Sequence, residues 1–456
     1  MFNILQDTDS YKLSMDKQYP SDTMAINSYI EARKGDTHVI PFGAQYFIKT
    51  MLDKPITRAD VDEAEQMYME HVGAFDRSIF DHIVNAYGGY WPVTIDAVPE
   101  GTPVGIHQVL AQVRSVVDDP KVRLMTTWLE TRMLSNIWYG TTVATNSYNI
   151  KQLIKGAMLM TGADLSGLPF KLHDFGSRGA STQETAALGG MAHLVNFMGT
   201  DTTVALFAAK RYYGAKGAAG FSIPAAEHST ITSWGRDREF DAYRNMINLF
   251  GGEGKIYAVV SDSYDYTNAV QNGWSKILKP EVVNAGGTLV VRPDSGDPVE
   301  SVMMALRSFA DSYGYTTTSK GFKVICGVRV IQGDGISAST IVHILDAMMA
   351  EGFSVDNVAF GMGGALLQKV TRDDLGFAMK CSARWNGVEW LDVQKDPKTD
   401  PSKKSKAGVL SLVRENGELR TIRAQDSSAS REQMVTLYHM GEIFEDNLDN
   451  IRARAA

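Results

Sequence analysis

The chain has 456 residues, 44% of them hydrophobic and 21% charged, with a formal net charge of −8. That is ordinary globular material with core enough for two or three domain-sized units, and it excludes disorder, collagen and coiled coil as the main architecture. The acidic balance argues against broad nucleic-acid or anionic-membrane binding, although a local basic pocket stays open. Only two cysteines occur, Cys326 and Cys381, without metal-type spacing. With no leader pattern at the N-terminus and no apolar run of the ~18–20 residues a span needs, a cytoplasmic protein of a reducing compartment is expected.

In chain order, residues 57–72 read as a helix. Thr57 and Asp60 have capping-box spacing, and Val61, Ala64, Met67, Tyr68 and Val72 share a face. The stretch 92–117 reads as β-rich, and separate helices are expected around 121–139 and 145–160. A cadence follows: short apolar runs end in polar or glycine-rich turns marked by Asp174, Asp201, His228, Asp262, Arg292, Asp334 and Gly361, at gaps of 27, 27, 34, 30, 42 and 27 residues. A strand, loop and helix of a (β/α) barrel use about 30 residues. Helices are expected over 298–312, opened by Pro298, and over 338–351, stopped by Gly352. Beyond 382 the pattern turns antiparallel, with hairpin turns at Asn386-Gly387 and Asn416-Gly417 around a basic loop, KDPKTDPSKKSK. The fold class is α/β: a parallel-sheet barrel over 161–381 carrying the chemistry, beside an α+β domain built from 1–160 and 382–456.

Several of the polar turns suit specific chemistry. In RPDSGDP (292–298) an arginine fixed at a strand end can grip a phosphate, and nearby aspartates can hold Mg²⁺ or sugar hydroxyls; the bland reading is a surface turn with an ion pair. GMGG (361–364) before a helix offers backbone N–H groups to an anion, with Arg372 able to close over it, or is a tight turn only. His228, in PAAEHSTITSW, is either a structural histidine or, oriented by Asp262 one strand later, a nucleophile or base. There is no HExxH, no CxxC and no GxSxG, so zinc and serine hydrolase chemistry are not expected. The cluster Lys403-Lys404-Lys406 reads as a solvated loop or a mobile phosphate clamp.

Taken together, TDSYK (8–12), KLHDFGSRG (171–179), GTDT (199–202), PAAEHSTIT (224–232), VVSDSYD (259–265), RPDSG (292–296), VIQGDG (330–335), GMGGALLQKVTRD (361–373) and KDP…DPSKKSK (395–406) resemble the nicotinamide phosphoribosyltransferase family, in its order and nearly end to end. The resemblance implies a type II phosphoribosyltransferase fold working as a homodimer with shared active sites. It implies transfer of phosphoribosyl from phosphoribosyl pyrophosphate to nicotinamide, with ATP and Mg²⁺ as coupling substrate and cofactor and no Mg²⁺ ligands assigned. Phe175 would stack on one face of the pyridine and Tyr11 of the partner subunit on the other, and Asp201 would accept from the carboxamide. Arg178, Arg292, Asp294, Gly333, Asp334, Gly363, Gly364 and Arg372 would hold ribose and phosphates. Arg33, Lys395 and Lys403 would serve the pyrophosphate and nucleotide phosphates, and ATP would phosphorylate His228 with Asp262 in support.

The chain departs from animal members of the family in a short segment after Arg33, an early C-terminus, and Phe170 where tyrosine is common. Two rival functions carry different signatures. A nicotinate phosphoribosyltransferase shares fold and mechanism, but a carboxylate at Asp201 repels nicotinate. A catalytically idle binding protein has no need of His228, Asp262, Asp294 and Arg372 together.

Overall fold

The computed structural model describes residues 3–399, 404–428 and 431–456. They divide into two compact units: Met1–Thr145 with Ala208–Ala215 and Val370–Ala456, and Asn146–Phe207 with Lys216–Lys369. The sequence cadence placed its divisions at 160 and 381. No helix among the described residues is long and apolar enough to cross a membrane.

The first unit is built on a seven-stranded sheet whose paired strands all run antiparallel. Ala25–Glu31, Val109–Ser115 and Val93–Ala97 form its middle. The C-terminal strands flank them, Ala378–Trp385 and Trp390–Asp392 on one side and Val435–His439 and Glu442–Ile443 on the other. The two ends of the chain thus share one α+β domain, as expected. Both Asn-Gly turns form. Asn416 and Gly417 take φ of 52° and 86°, the mirror-image turn whose twist matches the flanking strands.

Arg58–His71 is helical, and its Thr57–Asp60 capping box closes in both directions. Of the face expected to be buried, Val61 and Ala64 are, whereas Met67 and Val72 are exposed. The two helices expected around 121–139 and 145–160 are, in the structure, short turns followed by one helix, Glu130–Thr161. The apparent break at Gly140 is a packing site instead. A Cβ there would lie 2.7 Å from the Phe42 carbonyl oxygen. The Thr141 and Thr145 hydroxyls accept from the backbone N–H groups of Phe42 and Ile40 at 3.2 and 3.0 Å. These β-branched threonines remain helical because their hydroxyls serve a neighbouring chain segment.

The second unit holds six parallel strands: β1 Leu172–Asp174, β2 Gly199–Thr200, β3 Ile256–Val260, β4 Thr288–Arg292, β5 Val328–Gln332 and β6 Val358–Met362, in the order β2-β1-β6-β5-β4-β3. The residues 221–226 join its two edges. Phe221 bridges Gly199 in β2, and Ala225 bridges Ala258 in β3. The sheet is therefore closed by an irregular seventh stave, an imperfect barrel. The helices Pro298–Tyr313 and Ala338–Ala350 form as expected. Val302, Met303, Leu306 and Phe309 are buried on the first, and Ile341, Ile344, Leu345 and Met348 on the second. Asp174 and Arg292 end β1 and β4, Asp201, Asp262 and Asp334 follow β2, β3 and β5 within two residues, His228 follows the closing stave, and Gly361 lies inside β6.

Candidate active site

Two cavities inside the second unit share Phe175, Asp201 and Arg292. One, of about 770 Å³, runs through the barrel interior past Ala258, Val290 and Ile331. The other, of about 520 Å³, lies at the C-terminal ends of the strands between Arg178, His228, Asp294, Gly333, Gly363 and Gly364. An apolar slot therefore meets a polar, glycine-rich bowl at one aromatic, one carboxylate and one guanidinium.

Phe175 leaves β1 with its N–H donating to the Met362 carbonyl at 3.0 Å. Asp174, buried beneath that turn, accepts from the Gly176 N–H at 2.7 Å, and burial pushes its carboxyl up to about 6. The ring lies on the backbone of β6: a Cβ at Gly361 would stand 2.0 Å from Phe175 Cε2. Asp201 follows β2 and donates its own N–H to the Asp174 carbonyl. Its carboxylate accepts from the Ser222 hydroxyl at 2.5 Å. Arg292 ends β4 with Nη2 donating to Asp294 at 3.0 Å, while its buried Nε has no described partner.

His228 opens the helix His228–Thr232, with Asp262 3.0 Å from Nε2 and Asp294 3.8 Å from Nδ1. Its side chain is 41% exposed, open to a ligand, whereas that of Asp262 is 4% exposed. The Ser295 hydroxyl donates to the second oxygen of Asp262. A carboxylate accepting from Nε2–H fixes the tautomer and leaves the lone pair on Nδ1, toward the bowl.

The bowl thus gathers Phe175, Arg178, Asp201, His228, Arg292, Asp294, Gly333, Gly363 and Gly364 from the sequence expectations, with Asp262 behind His228. Asp334 is exposed and outside its lining. Arg372, Arg33, Lys395 and Tyr11 belong to the first unit. There the Lys380 ammonium is held below its usual range, first by burial and then by the charges of Arg33, Lys395 and Arg372. Arg33 Nε donates to Glu31 at 2.6 Å, and its Nη2 is buried without a described partner. Lys406 pairs with the same carboxylate. This is a basic cluster with an unspent donor, the composition of an anion site. Tyr11 is 62% exposed on the turn Ser10–Gln18, which the buried Lys12 ties to Glu130 at 3.2 Å. Lys403 lies outside the described residues.

Sequence reasoning missed Ser222, Ser295, Gly361 as a platform, and Lys171. Lys171 lines the barrel cavity, its amine brought down to about 8 by burial while donating to the Val355 and Val358 carbonyls. Ser295 stood inside RPDSG and could have been read from the motif. Ser222 carried no signal, because its partner is 21 residues away.

The sequence profile of the nicotinate phosphoribosyltransferase family matches residues 170–442, and that of the nicotinamide phosphoribosyltransferase N-terminal domain matches residues 3–95. The chain is 46% identical to the nicotinamide phosphoribosyltransferase of Xanthomonas campestris over 99% of its own length and 98% of the relative. It is 30% identical to that of Acinetobacter baylyi, over 100% and 97%. Two solved structures share the fold at TM-scores of 0.60 and 0.58: nicotinate-nucleotide pyrophosphorylase from Pyrococcus furiosus (16% identical) and human nicotinic acid phosphoribosyltransferase (17% identical). In each case the match covers 98% of this chain and 93% of the other.

Proposed function

The chain belongs to the nicotinate phosphoribosyltransferase family, and from that premise we propose that it joins nicotinamide to phosphoribosyl pyrophosphate in NAD salvage, with ATP hydrolysis coupled through His228. The observation that carries the reading is the junction of the two cavities at Phe175, Asp201 and Arg292. A flat heteroaromatic ring fits the apolar slot against Phe175, and a phosphoribosyl group fits the bowl. The bond to be made lies where the two meet.

Chemically, the C1–O bond of the ribose to pyrophosphate breaks as the pyridine nitrogen bonds to C1, through an oxocarbenium-like centre. Stacking on Phe175, and on Tyr11 of the partner subunit, holds the weakly nucleophilic nitrogen in line with C1, a proximity contribution. Arg178 and Arg292, with the backbone N–H groups of Gly363 and Gly364, face the phosphates. The resemblance assigns Arg33 and Lys395, in the first unit's basic cluster, to the pyrophosphate and nucleotide phosphates with the partner subunit involved, and Arg372 to the ribose and phosphates. Asp201 accepts from the carboxamide N–H and repels a carboxylate, which favours nicotinamide over nicotinate.

For the ATP step, Nδ1 of His228 attacks the γ-phosphorus, the bond to the ADP oxygen breaks, and water later takes the phosphoryl group as inorganic phosphate. Asp262 holds the Nε2 proton throughout. While present, the phosphoryl adds roughly two negative charges and three acceptor oxygens to the bowl. Among the described residues no group of three or more acidic, histidine or cysteine side chains could hold a metal by itself. Mg²⁺ that enters with a diphosphate needs only one or two carboxylates, and Asp294, which lines the bowl, fits that requirement. Bound there, it would neutralise charge on the phosphates.

The test is product formation from phosphoribosyl pyrophosphate with nicotinamide and nicotinate side by side, each with and without ATP. Nicotinamide mononucleotide should form, faster with ATP and with ADP and phosphate released. Preferential use of nicotinate would overturn the substrate assignment, and an ATP-indifferent rate without ATP hydrolysis would overturn the coupling.

A further inference from the structure

We propose that Ser222 sets the choice of pyridine through Asp201, as a positioning residue that commits the Asp201 carboxylate to one orientation. The inference rests on the reading of Asp201 above. Ser222 lies on the stave that closes the barrel. Its register is set by two backbone bonds: the Thr200 N–H donates to the Phe221 carbonyl at 3.0 Å, and the Phe221 N–H to the Met198 carbonyl at 2.7 Å. On the other side, the Asp201 N–H is held by the Asp174 carbonyl at 2.9 Å. Two backbone-bonded segments therefore deliver the hydroxyl and the carboxylate, both exposed, to each other at 2.5 Å. Both side chains line the barrel cavity at the end where it meets the bowl.

A hydroxyl has one hydrogen to donate, and this one is spent on Oδ1 of Asp201. Two consequences follow for a substituent arriving on the pyridine ring. The carboxylate can no longer rotate freely, so Oδ2, without a described partner, stands as an oriented acceptor for an amide N–H. The hydroxyl is also withheld from a nicotinate carboxylate, which would otherwise find a donor beside the repelling charge. The competing account makes the pair a structural tie across the barrel closure. Its loss would then lower stability without touching substrate choice.

The two accounts separate in a four-protein comparison of wild type, Ser222→Ala, Asp201→Asn and the double variant. The readouts are kcat/KM for nicotinamide and nicotinate, and the melting temperature. A hydrogen bond to a charged group supports a change on the order of tenfold or more. Ser222→Ala should therefore lower the nicotinamide-to-nicotinate ratio by at least about tenfold, mainly through nicotinamide KM, and Ser222→Thr should restore it. In the Asp201→Asn background, Ser222→Ala should move the ratio by less than about twofold, because the group it positions is gone. If Asp201→Asn shifts the ratio and Ser222→Ala does not, the positioning role is wrong while the reading of Asp201 stands. An unchanged ratio in Asp201→Asn instead removes the reading itself and this inference with it. Should Ser222→Ala fail to fold, Ser222→Cys, of similar size but a weaker donor, takes its place under the same criteria.

Discussion

Adding one methyl group at Gly361 should disable pyridine binding without touching any group that contacts phosphate. The added Cβ would stand 2.0 Å from Cε2 of Phe175, 2.3 Å from Cδ2 and 2.9 Å from Cζ. Carbon atoms pack at about 3.5–4.0 Å, so the ring must move by roughly 1.5 Å or the strand must yield. The strand cannot yield cheaply, because the Phe175 N–H is bonded to Met362, the next residue of β6. Overpacking of this kind costs about 1–3 kcal/mol of stability. A platform displaced by about 1 Å or more costs on the order of a hundredfold in a step that depends on alignment. Gly361→Ala should therefore lower kcat/KM for nicotinamide by ten- to a hundredfold, about 1.4–2.7 kcal/mol, with the KM for phosphoribosyl pyrophosphate within about threefold of wild type. Steady-state kinetics in both substrates and a thermal melt are the assays. A second substitution, Phe175→Ala, removes the atoms that clash, so the double variant should regain stability relative to Gly361→Ala but stay as inactive as Phe175→Ala. Gly156→Ala, on the long helix with open space around the new methyl, is the control and should raise the melting temperature slightly. Wild-type nicotinamide kinetics in a folded Gly361→Ala protein would refute the stacking argument.

Three further outcomes are expected. His228→Ala should abolish ATP hydrolysis and the ATP-dependent gain in product; acid-labile, base-stable label from γ-labelled ATP should appear on the wild type alone, and equal labelling of both proteins rules His228 out. Mixing inactive Tyr11→Ala with inactive Phe175→Ala should recover part of the activity in a verified mixed dimer, where one site regains both rings; no recovery ends the shared-site proposal. Glu100, fully buried while accepting from the Gly43 and Gln45 N–H groups, has its carboxyl pushed up to about 7 by burial. A raised folded-state value means the fold binds the proton more tightly than the open chain. The associated stability is present below about pH 4.5 and is lost as pH rises through about 7, by about 3 kcal/mol in all. Glu100→Gln should melt above wild type at pH 8 and close the gap toward pH 5; a pH-independent difference sinks this account.

The legible part of this protein and the illegible part differ in physical kind. RPDSG, VVSDSYD and GMGG could be read because a parallel barrel must end each buried apolar strand in an exposed polar turn, so strand, turn and chemistry lie within ten residues of one another. The paired hairpins were readable for the same local reason. Helix Glu130–Thr161 was not, since Gly140 and the threonines after it argue for a break in any local reading; only the approach of the Phe42 backbone turns those residues into helix-compatible ones. Met67 and Val72 failed differently, because periodicity says which residues share a face and not how much of that face the neighbouring elements cover. The stave 221–226 is the extreme case. It carries Pro224, makes only two bridges and offers no strand pattern, yet it closes the sheet and puts Ser222 against Asp201. Groups proposed to do bond chemistry, His228 with Asp262 or Arg292 with Asp294, sit at or just beyond strand ends, where the chain announces them. Groups that would discriminate between two pyridines depend on how the last gap in the barrel is filled, a register that no short window of sequence contains. Substrate preference in this scaffold should then change most readily by substitution along 221–226 and least by substitution within the turns proposed to hold phosphate. Selection of randomised 221–223 against randomised 292–296 for nicotinate use measures that difference: switched variants should come from the stave, and their recovery from the phosphate turn alone would show that discrimination resides with the catalytic groups after all.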